Sequence, residues 1–164
     1  MIVVGFDPGI ATSGYGVISL NSKINKIAVI SYGVIKTEKN DNFSLRLSRI
    51  YDEVDSLITH FKPDYAGVEK ILFSKNTKTA IEVAQSLGVI KLACARKGLT
   101  VKEYTPLEVK KSVLGYGRAD KIQIQRALTK ITNIDKIPGY DDAADALVIA
   151  ICCGLNLRTN RNLL

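Results

Sequence analysis

Three short stretches of the chain place carboxylates where chemistry can be done. Asp7 directly follows the apolar run Ile2-Val3-Val4-Gly5-Phe6, and Pro8-Gly9 turns the chain away at once. Glu69 ends a second short apolar run, Tyr65–Val68. Lys70, next to it, points to the opposite face of a strand and is a poor partner for that acid. The third stretch is Asp141-Asp142-Ala143-Ala144-Asp145, in which Asp142 and Asp145 stand three apart and share one helix face. Like charges at that spacing repel unless a cation lies between them. Asp141 has an ordinary explanation, since an acid in a first helical turn complements the dipole. Asp145 has none, because it lies a full turn inside an otherwise apolar helix. A donor set made only of oxygen selects a hard cation, Mg²⁺ or Mn²⁺, over zinc.

The other reactive residue types offer less. His60 is the only histidine and closes an amphipathic segment, so a surface position is expected and a histidine base is not. Cys94, Cys152 and Cys153 are odd in number, and two of them are adjacent. That suits neither a disulfide framework nor metal-ligand spacing. They read as small apolar residues in a reducing compartment.

The elements that must carry the acids follow from hydrophobic period. Ile2–Phe6 is continuous enough for a strand buried on both faces, and Asp7 then sits at its C-terminal end, where open α/β sheets collect ligands. Gly14–Leu20 and Lys26–Ile35 read as an antiparallel hairpin turned at Asn21-Ser22-Lys23. Leu47, Ile50, Val54, Ile58 and Phe61 recur every three or four residues, which predicts a helix over 44–61 stopped by Pro63. A strand ending at Glu69, a helix over 77–96 closed by Gly98, and a strand over 99–104 follow. Helices are predicted over 106–114, 119–132 and 141–154, the last two separated by Pro138-Gly139. This order makes one α/β domain with a mixed sheet.

Composition limits the partners. With 164 residues, 46% hydrophobic and 24% charged, the chain suits one globular domain with a sizeable core. No basic segment precedes the first strand. The longest apolar stretch, Ala143–Leu155, is broken by Asp145 and falls short of the ~20 residues a membrane span needs. A cytoplasmic protein without membrane contact is expected. The formal net charge of +7, from 23 Lys+Arg against 16 Asp+Glu, suits a polyanion. An acidic metal site in a basic chain points to two-metal phosphodiester chemistry. Basic residues hold the polyanion, and the ions activate water and support the departing oxygen.

The stretches DPGIATSGYGV (7–17), KPDYAGVEK (62–70) and DAADALVIA (142–150) resemble the signature blocks of the RuvC family, the bacterial Holliday-junction resolvases. They occur in the same order with similar spacing, joined by Ser74-Lys75-Asn76 and Gly115-Tyr116-Gly117. The resemblance implies an RNase H-like fold, a mixed five-stranded sheet flanked by helices, over residues 1–157, with a short basic tail at 158–164. It implies a homodimer that binds four-way DNA junctions in recombination and repair. Such a dimer nicks two strands symmetrically and leaves a 5′-phosphate and a 3′-hydroxyl. It places the catalytic and metal-binding acids on Asp7, Glu69, Asp142 and Asp145, holding two Mg²⁺ per site. Lys110 and Lys121 match basic residues of the active-site region. A base-stacking aromatic is expected just after Glu69; the aligned position is Leu72, and Phe73 follows it. A branch-migration helicase complex is the expected partner. The helix from Thr77, with Ala80, Ala84, Ser86 and Gly88, is the expected dimer interface. Two alternatives remain open. One is a related nuclease acting on RNA or flaps. The other is a phosphate-binding ATPase or phosphotransferase of the actin type, which calls for roughly twice this length and a second phosphate loop.

Overall fold

A five-stranded sheet forms the middle layer. The strands are β1 (Ile2–Asp7), β2 (Thr12–Asn21), β3 (Lys26–Lys36), β4 (Tyr65–Glu69) and β5 (Thr100–Tyr104). The computed structural model describes residues 1–21, 26–71, 77–115, 117, 120–134 and 141–161. Sheet order is β3-β2-β1-β4-β5. β1, β2 and β3 pair antiparallel, whereas β4 and β5 run parallel to β1. The hairpin pairing extends to Asn21 opposite Lys26. Its predicted turn residues Ser22 and Lys23 lie outside the described residues.

The helices are α1 (Phe43–Phe61), α2 (Thr77–Arg96), α3 (Pro106–Leu114), α4 (Lys121–Thr132) and α5 (Asp141–Arg161). The strand alternation of period two divides the core between two faces. Val4, Phe6, Ala66 and Val68 pack on one side with Ile50, Val54 and Ile58 of α1 and Leu87, Ile90 and Ala93 of α2. Val3 and Ile18 face the other side, where α5 lies on the sheet and Val109 of α3 and Leu128 of α4 complete the cluster.

The middle of α5, from Ala146 to Gly154, is apolar all round. Ala143, Ala144 and every residue from Ala146 to Cys153 are buried, as a helix enclosed on all sides requires. The helix also runs seven residues past Gly154, where the sequence predicts its end. Gly154 faces Ile18, Leu20 and Val3 and has no positive φ, so it serves as a small packing residue rather than a cap. Arg158 is accordingly part of a helix and not of a separate tail. Cys94, Cys152 and Cys153 are buried free thiols. Among the described residues no helix is long and apolar enough to cross a membrane.

Two capped helices lie on the α5 side of the sheet, α3 against α5 and α4 against α3 and β3. Thr105 and Glu108 form a reciprocal capping box at the start of α3, with Pro106 in its first turn and Gly115 in the left-handed conformation at its end. Asp120 and Gln123 do the same for α4, so that helix starts at Lys121 rather than at Ala119.

Candidate active site

The period of the strands decides where the acids point. On β1, Val3, Gly5 and Asp7 share the α5 face; on β4, Tyr65, Gly67 and Glu69 do. Gly5 pairs with Gly67 and Phe6 with Val68 in parallel register, so Asp7 and Glu69 end neighbouring strands side by side. Each acid therefore lies two residues beyond a glycine on the same face.

Those glycines bring α5 close to the sheet. Gly16, Gly5 and Gly67 are direct partners across β2, β1 and β4. A Cβ on Gly5 would overlap the backbone of Ala146 and Ala150, and one on Gly14 would overlap the carbonyl of Asp142. On Gly16 it would lie 2.7 Å from the Leu147 Cα, and on Gly67 2.9 Å from the Cys153 Cβ. Helix backbone thus rests on strand backbone, and the first turns of α5 carry Asp142 and Asp145 to the ends of β1 and β4.

The four acids feel one another. Burial first, then Asp145, Glu69 and Asp142, push the Asp7 carboxyl up from the usual carboxylate range to about 7. Burial and Asp145 raise Glu69, and Lys110 partly offsets them. A cavity of about 140 Å³ opens between Glu69 and Asp145, with Lys110, Pro106 and Val109 of the α3 region and Ile124 of α4 on its walls. Among the described residues, Lys110 is the basic residue that lies beside the acids. Lys121 begins α4, but its side chain lies outside the described residues, as do Leu72 and Phe73. His60 is exposed at the end of α1 with its ring edge-on to Phe61, and it takes no part. Asp141 is exposed in the first turn of α5, while Asp142 and Asp145 are half-buried.

This donor set fits a hard divalent cation. Four carboxylates at the ends of three elements supply only oxygen, and their mutual repulsion is relieved by a counter-ion. Among the described residues no three acids enclose an ion by themselves. Mg²⁺ ordinarily keeps several waters and shares its shell with phosphate oxygens, so one or two carboxylates per ion suffice.

The glycine row carries no mark in the sequence analysis, and Ser86, expected in an interface stripe, is buried instead. Glycines at alternate positions of a buried strand are the signal for the first, since they mark close approach of another backbone.

The family described as crossover junction endodeoxyribonuclease RuvC matches residues 3–153. A RuvC from Clostridioides difficile (strain 630) is 49% identical over 152 residues, which is 93% of this chain and 89% of that protein. A RuvC from Ruminiclostridium cellulolyticum is 47% identical over 154 residues, covering 94% and 92%. The structure of T. thermophilus RuvC in complex with a Holliday junction substrate superposes with a TM-score of 0.92 at 29% identity, covering 98% of this chain and 96% of that one. The yeast mitochondrial resolvase Ydc2 shares the fold at a TM-score of 0.66 and 16% identity, covering 99% and 84%. A family match that takes in all four acids, and near-halves of identity over most of the length, leave one assignment: the chain belongs to the RuvC family of crossover junction endodeoxyribonucleases.

Proposed function

We infer that this chain resolves four-way DNA junctions by hydrolysing phosphodiester bonds. The observation that carries the reading is that β1, β4 and α5 bring four acids to one place in a chain of net charge +7. Its relatives carry the junction-nuclease name over nearly their whole length.

Asp7, Glu69, Asp142 and Asp145 are the residues that would hold two Mg²⁺ ions. When bound, such ions supply an activated water and a counter-charge for the departing 3′-oxygen. The chain's own residues do the rest. Asp7, half-buried and crowded by three acids, gives up its proton when a cation relieves the crowding. Lys110 stands beside Glu69, where it offsets part of the rise that burial and Asp145 impose on that carboxyl and faces a phosphate entering the cavity. Lys121 is assigned a second contact to the backbone, and Leu72 or Phe73 a contact to opened bases.

Symmetric nicking needs two sites and hence a two-fold dimer. α2 supports this with one exposed face: Ile81 and Leu92 are 55% and 54% exposed, and Ala84 and Gly88 lie between them. Ser86, expected in that face, is instead buried on the opposite one, because two residues turn a helix by about 200°.

The test is incubation with a synthetic four-way junction, a linear duplex and an RNA–DNA hybrid in Mg²⁺. Paired symmetric nicks in the junction alone are expected. Preferential cutting of the hybrid would replace this reading with an RNA-directed one.

A further inference from the structure

Ser13 and Ser86 are the two fully buried polar residues among those described, and both act on one peptide. Ser13 Oγ donates to the Gly9 carbonyl at 2.6 Å and accepts from the Gly9 N–H at 3.2 Å. Ser86 Oγ, 77 residues away on α2, donates to the same carbonyl at 3.0 Å. Both lone pairs of the Gly9 oxygen are thus used, one by β2 and one by the helix packed on the same face of the sheet. The same turn is held further along, where the Thr37 hydroxyl donates to the Ile10 carbonyl and itself accepts from Arg46 Nε at 2.8 Å.

A serine inside a helix normally bonds back to its own preceding turn. Ser86 reaches across to another element instead, amid Leu87, Ile90 and Ala93, where a hydroxyl is costly unless paired. Packing alone asks for alanine there. The carbonyl it grips is two residues beyond Asp7, in the turn that anchors the end of β1.

We propose that Ser86, acting with Ser13 through the Gly9 carbonyl, is a positioning residue for Asp7, and that it ties the catalytic turn to helix α2. The proposal rests on the reading of Asp7 as a metal-binding acid. Removing the Ser86 hydroxyl takes one of two donors from the Gly9 oxygen and its tie to α2, while Ser13 still holds the turn to β2, so the protein folds and keeps its charge. Junction binding, which depends on basic residues elsewhere, stays unchanged. The Asp7 carboxylate loses its fixed direction, and with it the rate at a given Mg²⁺ concentration.

The experiment measures single-turnover nicking, junction affinity in EDTA, thermal melting and the Mg²⁺ concentration for half-maximal rate. It uses the full chain and its Ser86→Ala, Ser13→Ala and double variants. For Ser86→Ala the expected result is a rate lower by about tenfold and a raised Mg²⁺ requirement, with affinity unchanged. The double variant is expected to fall short of additivity, because both hydroxyls hold one oxygen. An unchanged rate and Mg²⁺ requirement in Ser86→Ala overturns the proposal, as does a rate loss that merely follows the loss of folded protein. Asp7→Asn in parallel separates the two failures. An inactive Asp7→Asn beside a fully active Ser86→Ala overturns the positioning role alone. An active Asp7→Asn overturns the reading of the acids and the positioning role with it.

Discussion

Substituting Gly16 by alanine tests whether backbone contact between α5 and the sheet sets the active site. The new Cβ would stand 2.7 Å from both Cα and N of Leu147, which is 0.7 Å inside the 3.4 Å at which ordinary contact begins. Both obstacles are backbone, so no rotamer relieves them. β2 is hydrogen-bonded on one side to β1 and on the other to β3, and the displacement therefore falls on α5. Leu147 follows Asp145 by two residues, so the lifted turn carries an acid with it. A misplacement of about 1 Å costs ~100-fold in favourable cases, and a shift of this size should slow nicking of saturating junction by roughly 10- to 100-fold. Overpacking of this kind costs about 1–3 kcal/mol, which at ~2–4 °C per kcal/mol lowers the melting temperature by roughly 2–12 °C. The assay is therefore run well below the variant's melting temperature, with junction affinity measured separately in EDTA. Gly154→Ala is the matched control on the same helix, because its Cβ meets nothing nearer than Ile18 Cδ1 at 3.5 Å. It should leave nicking unchanged and raise stability by up to about 1 kcal/mol. A Gly16→Ala protein that melts lower yet nicks at the wild-type rate would refute the reasoning, since the acids would then tolerate a lifted helix.

Three further outcomes are expected. In metal-free protein the raised Asp7 group binds its proton more tightly when folded than when unfolded, so stability falls as pH rises from about 4 to about 7 and then levels. Thermal melts across that range should show the fall, and Asp7→Asn or added Mg²⁺ should flatten most of it. Lys110→Ala removes the cation that, among the described residues, opposes the rise at Glu69, so the acid limb of the rate profile should move to higher pH, with the plateau lower by about tenfold. Lys111→Ala, exposed on the same helix, should leave that limb in place. Junction affinity should fall steeply with salt, log K against log salt sloping by about −0.9 per phosphate contact, and Lys110→Ala should reduce the slope by about one contact.

Much of this was legible from the residues. An apolar run ending in Asp7 makes a central strand with its acid at the ligand end, and the 3.6 period of Ile50, Val54 and Ile58 makes α1. Asp145 stands out because nothing but a partner justifies an acid in a helix so thoroughly apolar. Other features were not legible for reasons equally physical. Glycine punctuates chains and also sits inside helices, and Gly154, in ordinary contact with Ile18, Leu20 and Val3, does the second where its position suggests the first. Lys110 carries no mark of its own, since lysine on a helix is ordinarily solvated; only the family resemblance and then the cavity single it out. Ser86 was hidden among small residues whose spacing reads as one stripe, although Ala84 and Gly88 share a face that Ser86 does not.

The row of glycines under α5 also decides where this enzyme can yield. Backbone against backbone leaves no side chain to reorient as a cushion, so Asp142 and Asp145 ride with β1 and β4 as one stiff plate. On the opposite wall of the cavity, Lys110, Pro106 and Ile124 meet the site through side chains on two short capped helices. Whatever accommodation a distorted DNA strand demands during turnover must come from that wall, with the acids as its fixed anvil.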